Sequence, residues 1–160
     1  MVKMRKLDLS EWASLGELVG TLAIVVSLIF VVHSVDQNTA AIQGSTENLI
    51  FERHTELTTS FMLDPSLAAI LAKMREENPA LTEIEAVRWE KYQLNLLDTW
   101  ALAYNRHERG LLAPQQWNEW DRYFIELFRT GGERLSKDQW EEWKFGYGDE
   151  FWSHVGQALF

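Results

Sequence analysis

LGELVGTLAIVVSLIFVVHSV, residues 15–35, is an apolar run whose single formal charge is Glu17. A helix rising about 1.5 Å per residue needs roughly 20 such residues to cross a hydrocarbon layer about 30 Å thick. The run therefore reads as one transmembrane helix. MVKMRK ahead of it also fits the basic n-region of a secretory leader, but no A-x-A site comes closely after it, so a retained span is the favoured reading and a cleaved signal the alternative.

Charge on either side of the run suggests an orientation. Lys3, Arg5 and Lys6 precede it, whereas the next twenty residues hold only Arg53 at their far edge. The positive-inside rule then places the N-terminus on the cytoplasmic side of a bacterial inner membrane and residues 36–160 in the periplasm. Trp12 suits an anchor at the first membrane–water interface.

Within the run, Gly16, Gly20, Ala23 and Ser27 recur at i, i+4, i+7 and i+11, leaving one stripe almost without side chains. In lipid, where no hydrophobic force gathers helices, such a stripe lets two backbones approach and pack. It predicts a helix–helix interface and a homo-oligomer. Glu17 lies beside Gly16, about one turn into the apolar stretch, where a carboxylate is costly. Two readings stay open: Glu17 snorkels to the headgroups, or a ring of Glu17 carboxylates binds a cation or proton.

No proline interrupts the chain between Val35 and Asp64-Pro65, and Ile42, Leu49, Ile50, Leu57 and Phe61 keep near-helical spacing. The membrane helix is expected to continue as a stalk, with Asn38 or Gly44 as the place for a break, and its apolar stripe requires either the rest of the chain or other subunits as partner. Beyond it, Asp64-Pro65, the Thr82/Glu85 capping box, Gly110 with Pro114, Gly131-Gly132 and Ser136 with Gln139 punctuate the sequence. They predict helices over 65–77, 82–109, 114–130, 136–145 and 149–159. The whole is an all-α chain: flank 1–14, transmembrane helix 15–35, stalk helix 36–63 and a small helical-bundle domain over 64–160.

Trp89, Tyr92, Leu96, Trp100, Ala103 and His107 share one helical face, as do Trp117, Trp120, Phe124 and Phe128, and then Trp140, Trp143 and Tyr147. Large aromatics at this spacing predict core. The first 35 residues balance three cations against three carboxylates, so the net charge of −9 resides wholly in residues 36–160, together with seven of the eight Trp. That balance disfavours nucleic acid as a partner, since phosphate binding depends on clustered Lys and Arg.

Signs of chemistry are few. The absence of Cys excludes disulfides and thiolate sites, and His33, His54, His107 and His154 fall in four separate segments without a metal-binding spacing. Glu150 with His154, and Glu52, His54 and Glu56, are the nearest approaches to a ligand set. No phosphate-binding glycine loop or nucleophile elbow is present. No catalytic residue, metal ligand or cofactor is therefore expected.

Residues 15–43, LGELVGTLAIVVSLIFVVHSVDQNTAAIQ, together with RGLLAPQQWNEW at 109–120 and the closing helix from Phe151 to Leu159, resemble a group of small bacterial membrane-anchored proteins of unknown function. Members begin with an LGE-hh-G hydrophobic segment and end in a Trp-rich helical domain. The resemblance implies anchor and architecture, and no activity. The leading expectation is a non-catalytic, self-associating scaffold or accessory subunit in the lipid bilayer, within a homo-oligomer or a larger membrane complex. A small ion or proton conductor with Glu17 near the symmetry axis is the alternative, and a membrane-bound helical enzyme the next.

Overall fold

The structure, a computed structural model, describes residues 8–76, 79–130 and 133–160. Lys3, Arg5 and Lys6, which carry the orientation, and the Gly131-Gly132 stop lie outside the described residues. The fold is all-α, with no strand among the described residues.

Helix α1 spans Leu9–Leu63. Asp8 and Glu11 start it: the Asp8 backbone N–H donates to the Glu11 carboxylate at 2.9 Å, and the Leu9 N–H to the Asp8 carboxylate at 2.7 Å. Two donors that a helix start leaves without partners are thus satisfied. The helix runs on into the stalk as expected, unbroken at Asn38 and Gly44, the places where the sequence would allow a break. A glycine costs an exposed helix only about 1 kcal/mol, and Thr46 and Ile50 just beyond it are buried.

Asp64 closes α1 and caps α2 (Pro65–Met74), accepting from the Ser66 N–H at 2.9 Å, with Pro65 at the first helical position. Helix α3 (Glu83–Glu108) opens with the reciprocal Thr82/Glu85 box. It ends on Gly110, whose φ of 70° is the left-handed conformation a side chain resists. There the Leu111 N–H reaches the Arg106 carbonyl and the Gly110 N–H the His107 carbonyl, both at 2.8 Å, which is the Schellman pattern. Helices α4 (Pro114–Thr130), α5 (Lys137–Trp143) and α6 (Asp149–Leu159) complete the chain, α5 capped by Ser136 with Gln139. The expected 136–145 helix tightens at its end into a 3-10 turn, Lys144–Gly146.

Contacts group the chain into two compact units, Met1–Ala41 and Ile42–Phe160. The expected stalk, 36–63, is thereby divided, because from Ile42 onward it has partners in the helical domain. Ile50 is fully buried and Leu57 packs against the core. Gln43 donates to the Gly110 carbonyl, and Glu47 accepts from the Gln116 side chain.

The second unit is organised around Trp100. Its indole stacks on Phe124 and Phe128 and meets the edge of Phe151, drawing α3, α4 and α6 together. Ile50 from α1, Ile70 from α2, Leu96 and Leu97 from α3 and Trp140 from α5 complete the buried cluster. Trp89, Tyr92, Leu96, Trp100 and Ala103 are buried as their spacing predicts, whereas Trp120, Trp143 and Tyr147 pack half-buried at the rim. Gln93, also buried, donates to the Glu133 carbonyl at 3.1 Å and accepts from Gln139 at 3.2 Å. Its amide is thus satisfied where an unpaired one would cost about 1–3 kcal/mol.

Candidate functional site

Chemistry-bearing residues fall into separate places in the two units. In the first, α1 is the one helix among the described residues long and apolar enough to cross a membrane, and none of its most apolar stretch is buried. Trp12 is exposed near the helix start. A methyl group built on Gly16 or on Gly20 meets no atom within 4 Å, so the face is open as well as small.

Ser27 adds to the smoothness of that face. Its hydroxyl donates to the Ala23 carbonyl at 2.8 Å, and Thr21 does the same to the Glu17 carbonyl at 2.9 Å. Such back-bonding satisfies a hydroxyl inside its own helix, which is what an apolar solvent demands. The Glu17 side chain is exposed, about 100° around the helix from Gly16 by the 3.6-residue repeat, on the flank of the small stripe. Gly16, Gly20, Ala23 and Ser27 therefore share a face, and Glu17 borders it.

In the second unit the histidines find partners that local spacing does not reveal. His154 Nε2 donates to Asp121 Oδ1 at 2.7 Å, and the Trp100 indole N–H donates to the same oxygen at 2.9 Å. One half-buried carboxylate thus joins α3, α4 and α6. The His154 ring lies among Trp100, Tyr104 and Trp117. Glu150, one turn from His154, is not its hydrogen-bonded partner; the residue that is lies 33 positions away.

His54 pairs with the Tyr123 hydroxyl at 2.7 Å between the rings of Trp120 and Tyr123, rather than with Glu52 or Glu56. Burial of its ring holds its pKa below the ordinary histidine value, and burial likewise raises that of Tyr123. His107 stacks on Trp117. Among the described residues no three His, Asp or Glu side chains gather in a metal-binding arrangement.

Ion pairs at the start of α3 are structural. Glu85 accepts from Lys73 Nζ at 2.6 and 2.9 Å and from the Thr82 backbone N–H at 2.8 Å. The Lys73 ammonium foremost, then the Thr82 N–H, hold the Glu85 carboxyl at about 2. Beside this corner, α1, α2 and α3 enclose a cavity of about 400 Å³, with Leu57, Leu67 and Val87 as apolar walls and Arg88 and Lys91 on its lining. Arg88 donates to the Ser66 hydroxyl at 2.5 Å, and Asp64 is on the same lining, so the cavity has mixed charge.

Two groups escaped sequence reasoning. Asp8-Leu9-Ser10-Glu11 has the form of a helix start, and attention to that tetrad would have found it. Asp121 gives no such signal, because its partners come from two other helices. No protein family, curated protein or solved structure matches the chain.

Proposed function

We propose that this protein is a membrane-anchored scaffold or accessory subunit that self-associates through the Gly16, Gly20, Ala23 and Ser27 face, without catalysis of its own. The observation that carries the reading is the open face itself: space beside both glycines, and a serine hydroxyl turned back into its own helix. Small side chains let two backbones approach closely, and a hydroxyl bonded within its own helix leaves no unpaired donor on that face. The apolar side chains around the rest of the span supply the lipid-facing surface, and the N-terminus lies on the cytoplasmic side of a bacterial inner membrane.

The test is association of the full chain in a bacterial membrane. Replacing Gly20 with Leu holds the backbones apart and is expected to weaken the oligomer roughly tenfold, which corresponds to about 1.4 kcal/mol. Unchanged association defeats the interface. Intact mass of the membrane-extracted protein separates a retained span, at 18.7 kDa, from a cleaved leader. A reporter active only in the periplasm, fused after Phe160, reads the orientation.

A further inference from the structure

Residues 36–160 carry the whole charge of −9, so a cleft whose charged side chains are all cationic is unexpected there. One occurs where the end of α4, the segment entering α5 and the end of α6 meet. Arg129, Arg134 and Lys137 line a cavity of about 420 Å³, and among the described residues lining it there is no Asp or Glu side chain. The volume is within the range of small-ligand sites.

These cations are also unneutralised. Lys73 pairs with Glu85, Lys91 with Glu90 and Lys144 with Glu141, but among the described residues none of the three cleft cations forms an ion pair with a carboxylate. Arg129 donates to the Ala158 carbonyl, which fixes one edge of its guanidinium at the cleft and leaves its other donors available. The Ser136 oxygen accepts from the Gln139 N–H at 3.2 Å, so its own proton is free to be given. Beneath this polar rim, Phe128 and Leu135 form a buried apolar floor, and the Phe160 ring stands exposed at the side.

Three like charges around one cleft repel unless an anion joins them. A phosphate monoester carries about −1.5 to −2 charge at pH 7 and three strong acceptor oxygens, matching two guanidinium forks, an ammonium and a hydroxyl better than a singly charged carboxylate does. The apolar floor calls for a substituent that water does not hold. We propose that this cleft binds the phosphate monoester of a small apolar or aromatic group, whether a free compound or the headgroup of a phosphatidic-acid-type lipid. The proposal is independent of the membrane reading, since all of its residues belong to the helical domain.

The experiment is calorimetric titration of the full chain in dodecyl maltoside at low salt, with phenyl phosphate as one probe and dihexanoyl phosphatidic acid as the other. Saturable binding of one or both is expected, weakened at least tenfold by R134Q and by K137Q and reduced by 0.5 M NaCl. Both residues are exposed, and an unchanged circular dichroism spectrum verifies that the variants fold. Binding of phenyl phosphate identifies a free ligand as sufficient; binding of the lipid alone assigns the phosphate to a lipid. Failure of both probes to bind overturns the proposal, as does binding that R134Q and K137Q leave unchanged.

Discussion

Leu22, Ile24, Ile29 and Phe30 in the first unit are each more than half exposed, whereas Leu96, Ile50, Ile70 and Phe124 in the second are at most 1% exposed. The same kinds of side chain meet opposite fates. In the second unit they occupy one face of helices whose other faces are charged, and neighbouring helices cover that face. In the first they surround the helix everywhere but the small-residue stripe, so no single partner helix within the chain can cover them. Hydrogen bonding divides less sharply. Thr21 and Ser27 turn to their own helix, as Thr58 and Thr99 do in the second unit, where Asp121, Gln93 and Tyr147 also bond between segments. The first unit leaves its apolar surface uncovered; the second covers its own, and among its described buried side-chain atoms only His107 Nδ1 and Gln116 Oε1 lack a hydrogen-bond partner. That uncovered surface belongs to a helix long and apolar enough to cross a membrane.

The strongest way to break this contrast is Trp100→Ala. It removes the ring on which Phe124, Phe128 and Phe151 converge, and truncation of a buried aromatic costs about 3–5 kcal/mol. The helical domain is expected to lose most of its stability in thermal or urea unfolding monitored by near-UV circular dichroism, while fractionation with membranes persists. Loss of membrane fractionation with the domain would show that the two units are not energetically separate.

Acid sharpens the contrast through Glu85, a carboxylate of the domain. With its carboxyl held at about 2 by Lys73 and the Thr82 N–H, below the ordinary value of 4.5, Glu85 contributes stability above pH 4.5 that disappears as pH falls towards 2. The Glu85→Gln variant is expected to be less stable than the parent at pH 7, with the difference shrinking on descent to pH 2. Urea midpoints at pH 7, 4 and 2.5 measure this, and a difference independent of pH would remove the ionic contribution.

The smallest effect is expected at Glu17→Gln, which keeps shape and removes charge. A side chain one turn from the end of the apolar run meets water at little cost, so the variant should assemble normally and reside slightly more stably in the bilayer. Proton or cation flux across liposomes reconstituted with the parent chain, absent from the variant, would place the conductor reading above the scaffold.

Much of the helical layout was legible because its signals are local. Asp64-Pro65, Thr82 with Glu85, and Ser136 with Gln139 sit where expected, since a cap is decided by residues two or three positions apart. The aromatic stripes likewise arise from a 3.6-residue repeat. Less legible was the reach of the domain into α1, for the spacing of Ile50 and Leu57 says that a partner is required without saying whether it comes from the same chain.

By itself, then, the sequence determined the helices, their stops, the aromatic core faces and the length of the apolar segment, because each depends on neighbours along one helix. Tertiary structure decided which distant groups meet: Asp121 with both Trp100 and His154, His54 with Tyr123, and Arg129, Arg134 and Lys137 around one cleft. These pairings depend on how α1, α3, α4, α5 and α6 pack, and helix crossing is set by the combined shape of many side chains rather than by any short pattern.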